Sequence, residues 1–329
     1  LDANSILNSS QTNLANTTAG GYIETSGQTI NLLSSINAGR GGMWLIDPSD
    51  LTITQLTANL LSTALNTSSV TISVTNTNCT TTFGVCGSNT GTGSLIIDTQ
   101  ASIIKTSGTA ATTLTLNAYG SIYHYGTIAG NSTIPLSVAM YAGVNNATPQ
   151  TITLSGTGGI TTYGGSITLG GTGVSSSSNA TPVANTIIGT NYTLTTANGA
   201  ITFSGAVDAI TSNPSNPSLT ISAGTGQIIF GGTVGQINPL STLSVTSTAT
   251  NTVLTGSVTT TGAQSYSNKV TLAANTNFTA SGFTFASTGI QVDGLIGSNY
   301  TSGIYFSDIG AFTRHILGLA HGRAGSRYW

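Results

Sequence analysis

The sequence predicts an all-β fold, a β-solenoid built as a parallel β-helix. Three observations carry that reading: apolar residues at every second position, similar blocks recurring along the chain, and a composition of Thr, Ser, Asn and Gly with almost no charge. Alternation with period two marks a strand with one buried and one wet face. Thr favours strands, and Gly and Asn favour turns. Helix-forming Glu and Lys are nearly missing, with one Glu (Glu24) and two Lys (Lys105, Lys269) in 329 residues.

The blocks read in order as follows. Thr113–Gly130 (TLTLNAYGSIYHYGTIAG), Tyr192–Val207 (YTLTTANGAITFSGAV) and Leu219–Val234 (LTISAGTGQIIFGGTV) each show a strand, a turn at Gly120, Gly199 or Gly226, and a second strand. Leu243–Val258 and Val270–Phe285 repeat the scheme. A unit of two or three short strands cannot bury its apolar face alone, whereas stacked units share one core. Coils of about 20–30 residues at about 4.8 Å each would give a rod on the order of 60 Å long. Ser175–Asn185 and Thr211–Pro217 read as loops between coils. A chain of sandwiches or a barrel is the alternative, and Asn198-Gly199, also a hairpin signal, favours the sandwiches.

The ends differ from the middle. Residues 1–60 hold strands and first coils, with a short helix expected at Gln55–Leu65 (QLTANLLSTAL), and the body runs over 61–300. Residues 301–329 form a distinct tail, in which Phe312, Ile316, Leu317 and Leu319 sit at roughly helical spacing. Arg314, His315, Arg323 and Arg327 concentrate there, beside Tyr328 and Trp329. This tail is expected either to cap the last coil or to dock a neighbouring subunit.

Composition narrows the function classes. Charged residues are 4% of the chain and the net charge is −2, against about 25% charged in an average soluble domain. No basic field exists for nucleic acid and no polybasic run for anionic lipid. Weakly charged surfaces tend to associate. No run of 18 apolar residues offers a membrane-spanning helix. The chain begins at Leu1, so it is expected to be a processed product or a fragment. Cys79 and Cys86, in CTTTFGVC, are too far apart for a CxxC redox pair. They are expected to form a local disulfide, worth about 2–3 kcal/mol, in an oxidising compartment; two buried thiols are the alternative.

The chemistry of catalysis is sparse. The acids Asp2, Glu24, Asp47, Asp50, Asp98, Asp208, Asp293 and Asp308 are scattered, with only Asp47 and Asp50 close together. Glycan-cleaving sites need clustered carboxylates, so no catalytic residue, metal or cofactor is expected. His124 lies among tyrosines (SIYHYG) and is expected to be packed or exposed rather than activating a serine. Alternation puts Tyr123 and Tyr125 on one face, a candidate contact for carbohydrate or another subunit. Asn-x-Ser/Thr triplets occur at Asn16, Asn66, Asn131, Asn191, Asn277 and Asn299, as abundant Ser and Thr would give by chance.

Residues 20–54 read GGYIETSGQTINLLSSINAGRGGMWLIDPSDLTIT. Gly21, Ile23, Glu24, Thr25, Ser26 and Gly27, followed by Gly42, Trp44, Leu45, Ile46, Asp47, Pro48, Asp50, Thr52 and Ile53, resemble the filamentous-haemagglutinin-like exoproteins of two-partner secretion. LTLNAYGSI and LTISAGTGQIIFGGTVG are also similar to that family, and the resemblance covers about residues 15–295. It implies a right-handed parallel β-helix, export from a Gram-negative bacterium through an outer-membrane transporter, and an adhesive, haemolytic or matrix role. The family's secretion domain is absent here, and the tail matches nothing in the pattern. The motif residues have structural readings. Gly21 and Gly27 suit tight corners, Trp44 fills a coil interior, Pro48 ends a strand, and Asp47 and Asp50 form turns. The expected function is therefore a non-enzymatic extracellular fibre subunit that binds copies of itself, with a monomeric adhesin for host-cell or matrix glycans as the alternative.

Overall fold

A computed structural model describes residues 6–8, 20–27, 35–74, 91–131, 134–146, 148–170, 183–211, 216–248, 251–274, 276–285, 290–292 and 305–307. The chain winds as a three-sided parallel β-helix. Every strand pairing is parallel. The first sheet has 11 strands, from Tyr22–Ser26 to Ile290–Val292, and the third has eight, from Ser102–Ile104 to Gly282–Phe285. The second sheet has six strands, from Leu51–Ile53 to Val207–Ala209. Single bridges through Val234 carry it on to Val258 and a further three-stranded sheet. Eleven strands at about 4.8 Å per step make roughly 48 Å of axis, shorter than the sequence estimate, because several coils carry long excursions.

The alternation seen in the sequence is the inside–outside pattern of the coils. Leu114, Val138, Ile167, Ile201 and Ile228 stack in register inside the first sheet, and all are buried. Phe203 and Phe230 stack in the next column with centroids 5.0 Å apart and planes 3° from parallel. The step between coils is 27 residues from Asn191 to Ser218, but 20 from Ser247 to Ser267 and 44 from Ser69 to Thr113. A parallel ladder fixes the position of each strand, not the length of chain between strands, so insertions are absorbed at corners.

The repeats do not all share one phase. Gly199 and Gly226 lie at the corner from the third sheet into the first, whereas Gly120 lies at the corner from the first into the second. Val270–Phe285 likewise starts on the first sheet, while Leu243–Val258 starts on the third. The glycines at 165, 199 and 226 form a column that needs the missing side chain. A Cβ on Gly226 would overlap the Gly199 carbonyl oxygen, and one on Gly199 would overlap that of Gly165. Left-handed backbone in these turns falls at Tyr163 (φ 50) and Gly164 (φ 107), at Ala197 (φ 64) and at Gly224 (φ 56).

One helix, α1 (Gln55–Leu65), stands where the sequence places it. It takes the position of a third-sheet strand, packed between Ser35–Asn37 and Ser102–Ile104. Ala58, Leu61, Ala64 and Leu65 face the core. A helix has no free carbonyl row for the next strand, so its side chains serve instead. Gln55 Oε1 accepts from Ser102 N–H at 3.1 Å, and Ser62 Oγ accepts from Ile104 N–H at 2.8 Å. Asn66 Oδ1 accepts from Thr106 and Ser107 N–H. The first sheet passes without a break from Met43–Asp47 to Ser69–Val74, so coils on either side of residue 60 belong to one stack.

Candidate functional site

The motif at residues 21–53 is built into the first coils. Trp44 is fully buried, as expected for a coil filler, and its indole N–H donates to Thr25 Oγ1 at 3.0 Å. The strand Met43–Asp47 stops at Pro48, which has no N–H for the ladder. Gly21 and Gly27 flank the strand Tyr22–Ser26. Left-handed backbone falls at Gly39 (φ 81) and Gly41 (φ 71), and neither Gly21 nor Gly27 is left-handed. Gly21 instead fits the ladder, its N–H donating to Ala38 O and its carbonyl accepting from Met43 N–H. Asp47 is the last residue of its strand rather than a turn residue. Asp50 holds the next coil: its carboxylate accepts from Thr92 N–H, the Thr92 hydroxyl and Ser94 N–H. Glu24 points outward and accepts from the Tyr22 hydroxyl at 3.4 Å. Burial, with Glu24 beside it, raises the Tyr22 pKa.

The second sheet carries the aromatic pair. On Ile122–His124, Ile122 and His124 point inward and are buried, so Tyr123 points out. Tyr125 follows the strand, its N–H donating to Ile97 O. The rings of Tyr123 and Tyr125 lie 6.3 Å apart and 18° from parallel. In register, Tyr123 sits between Ile96 and Thr153. Burial, then the neighbouring Tyr123, raises the Tyr125 pKa, so its phenol stays neutral at ordinary pH. The pair offers apolar ring faces and two hydroxyls. It can stack on a sugar ring or a second protein surface.

Sequence reasoning missed two buried charged residues, Lys105 and Asp208. Lys105 is fully buried, and its ammonium donates to Leu65 O, Ala110 O and Thr112 Oγ1. It neutralises the carbonyl end of α1, and burial lowers its pKa. Its signal was visible as a lone charge in an apolar stretch (SIIKTSG). Asp208, also buried, accepts from Ile237 and Asn238 N–H and pins that loop. His124 is packed, as one of the two sequence readings had it, and is hydrogen-bonded through Nδ1 to the Tyr192 hydroxyl. No trio of His, Cys, Asp or Glu able to hold a metal converges among the described residues.

Cys79 and Cys86 lie outside the described residues, as do Phe312, Arg314, His315, Ile316, Leu317, Arg323, Arg327, Tyr328 and Trp329. No family model, curated protein or solved structure matches the chain.

Proposed function

We propose that this chain is a non-enzymatic extracellular structural protein, a β-solenoid subunit that associates head-to-tail into a surface fibre. The observation that supports it most is the unbroken column of in-register parallel strands from Tyr22–Ser26 to Ile290–Val292. The end strand of such a column offers its backbone groups to a further strand. Tyr22–Ser26 is the first strand of the column and pairs with Met43–Asp47. A contact from the end of one rod to the start of the next propagates as a filament. Low charge removes the repulsion that would oppose stacking. The resemblance of residues 20–54 supports a location outside a Gram-negative cell, with export of a precursor through an outer-membrane transporter.

Electron microscopy of the native protein tests the proposal. Filaments with a regular axial repeat are expected, and removal of Ile309–Trp329 is expected to leave folded single rods. Separate rods from the intact chain at all concentrations would overturn it. A second reading, a monomeric adhesin for host-cell or matrix glycans, is favoured by the parallel Tyr123 and Tyr125 rings. It predicts saturable glycan binding that Tyr123→Ala and Tyr125→Ala abolish while the fold is retained.

A further inference from the structure

We infer that His124 and Tyr192 form an acid-released joint inside the solenoid, where uptake of a proton by the imidazole opens the coils locally. Tyr192 lies on the third-sheet strand Tyr192–Thr195, and His124 on the second-sheet strand Ile122–His124. The two are 68 residues apart. The coil carrying Ile152–Leu154 and Ile160–Thr161 lies between theirs. The phenol therefore reaches along the axis past one whole coil, and the bond ties three coils together from inside. The rings meet edge to face, with centroids 5.9 Å apart.

The joint holds a neutral imidazole and has nowhere to put a charge. His124 is fully buried, and its Nε2 has no partner. Its register neighbours are Ile97 and Leu154. Tyr192 is the titratable group that faces it, and burial raises that phenol's pKa, so it stays neutral too. On the same segment, Tyr123 points to the outer face, where its ring pairs with Tyr125. The other buried ionisable groups among the described residues are bonded elsewhere: Lys105 at the end of α1, Asp208 to the 237–238 loop and Tyr266 to Gln264. In the imidazolium both nitrogens are donors. The Tyr192 oxygen can accept from one, which leaves a charge and an N–H sealed in apolar surroundings.

The direction of the effect follows from proton linkage. Burial lowers the His124 pKa from 6.5 to about 3. Below pH 6.5 the opened chain binds a proton that the closed core refuses, so stability is complete above that pH and is lost as pH falls towards about 3. Opening becomes about tenfold more favourable per pH unit. In a solenoid each coil contacts only its neighbours, so opening stays local.

Amide exchange of the intact protein at pH 6.5 and 4.5, corrected for intrinsic rates, tests the joint. Amides in 122–125, 152–155 and 192–196 are expected to lose about fiftyfold protection, while 219–222 and 228–230 keep theirs. His124→Gln keeps an acceptor for the Tyr192 hydroxyl without titrating, and should hold its protection at pH 4.5. Unchanged protection in the wild type, uniform loss along the rod, or equal loss in the variant would each overturn the inference. If the variant does not fold, the ring resonances of His124 in the wild type decide. Neutral imidazole at pH 5 is expected, and ordinary titration near 6.5 would refute it.

Discussion

Replacing Lys105 with methionine keeps the volume of the stem and deletes the ammonium. Three bonds go: to Leu65 O at 2.9 Å, Ala110 O at 2.9 Å and Thr112 Oγ1 at 2.8 Å. Each hydrogen bond to a charged group contributes about 1.5–3 kcal/mol. Against this, the variant no longer buries an ion, a relief of several kcal/mol. Leu65 O also keeps the Thr112 hydroxyl as a donor at 2.8 Å. No second side chain among the described residues donates to Ala110 O, and the end of α1 loses its cation. Removing one member of a buried charged cluster typically costs 3–5 kcal/mol; with the spared Leu65 bond we expect about 3 kcal/mol, at the low end. The loss should be local. Amides of α1 and of 105–112 should exchange faster by about two orders of magnitude, while 219–230 stay unchanged. There is also an alkaline signature. Burial lowers the Lys105 pKa, so above the folded value the unfolded chain binds the extra proton. The wild type should therefore gain on Lys105→Met as pH rises towards about 10.4. A variant as stable as the wild type at pH 7 would refute the reasoning, because desolvation of the ammonium would then outweigh its three bonds.

Other perturbations are read by equilibrium denaturation at pH 7. Gly226→Ala drives a methyl into the Gly199 carbonyl and should cost about 3 kcal/mol. Gly282→Ala, whose new Cβ meets nothing within 4 Å, should stay within about 0.5 kcal/mol of the wild type. Trp44→Ala empties the interior of an early coil and should cost about 4 kcal/mol. Asp50→Ala removes the acceptor for three donors of the next coil and should cost about 1.5 kcal/mol, seen first as faster exchange at Thr92 and Ser94.

Much of this architecture is legible in the residues. Alternation in LTIS and IIF places Leu219, Ile221, Ile228 and Phe230 in the core, and all four are buried. The helix at Gln55–Leu65 could be read because QLTANLL departs from alternation and spaces its leucines for a helical face. The facing of Tyr123 and Tyr125 follows from period two alone. Less legible was the use of single polar residues. Asp50 reads as a local turn former, yet its acceptors serve donors 42 and 44 residues away. Gly21 and Gly27 read as corners and flank the strand Tyr22–Ser26, but the left-handed backbone that glycine permits falls at Gly39 and Gly41.

The sequence by itself determined that short strands alternate, that they recur, and that little charge interrupts them. Those properties depend on each residue and its near neighbours. Only the tertiary structure decided the phase of the coils. Three corners of similar length join strands of similar length, so Gly120 and Gly199 look alike in sequence and lie at different corners. It also decided which buried polar groups meet. Lys105 finds Leu65 across 40 residues, and His124 finds Tyr192 across 68. Those distances are set by the lengths of chain wound between neighbouring strands, and stacking tolerates many lengths because a parallel ladder constrains only the strands.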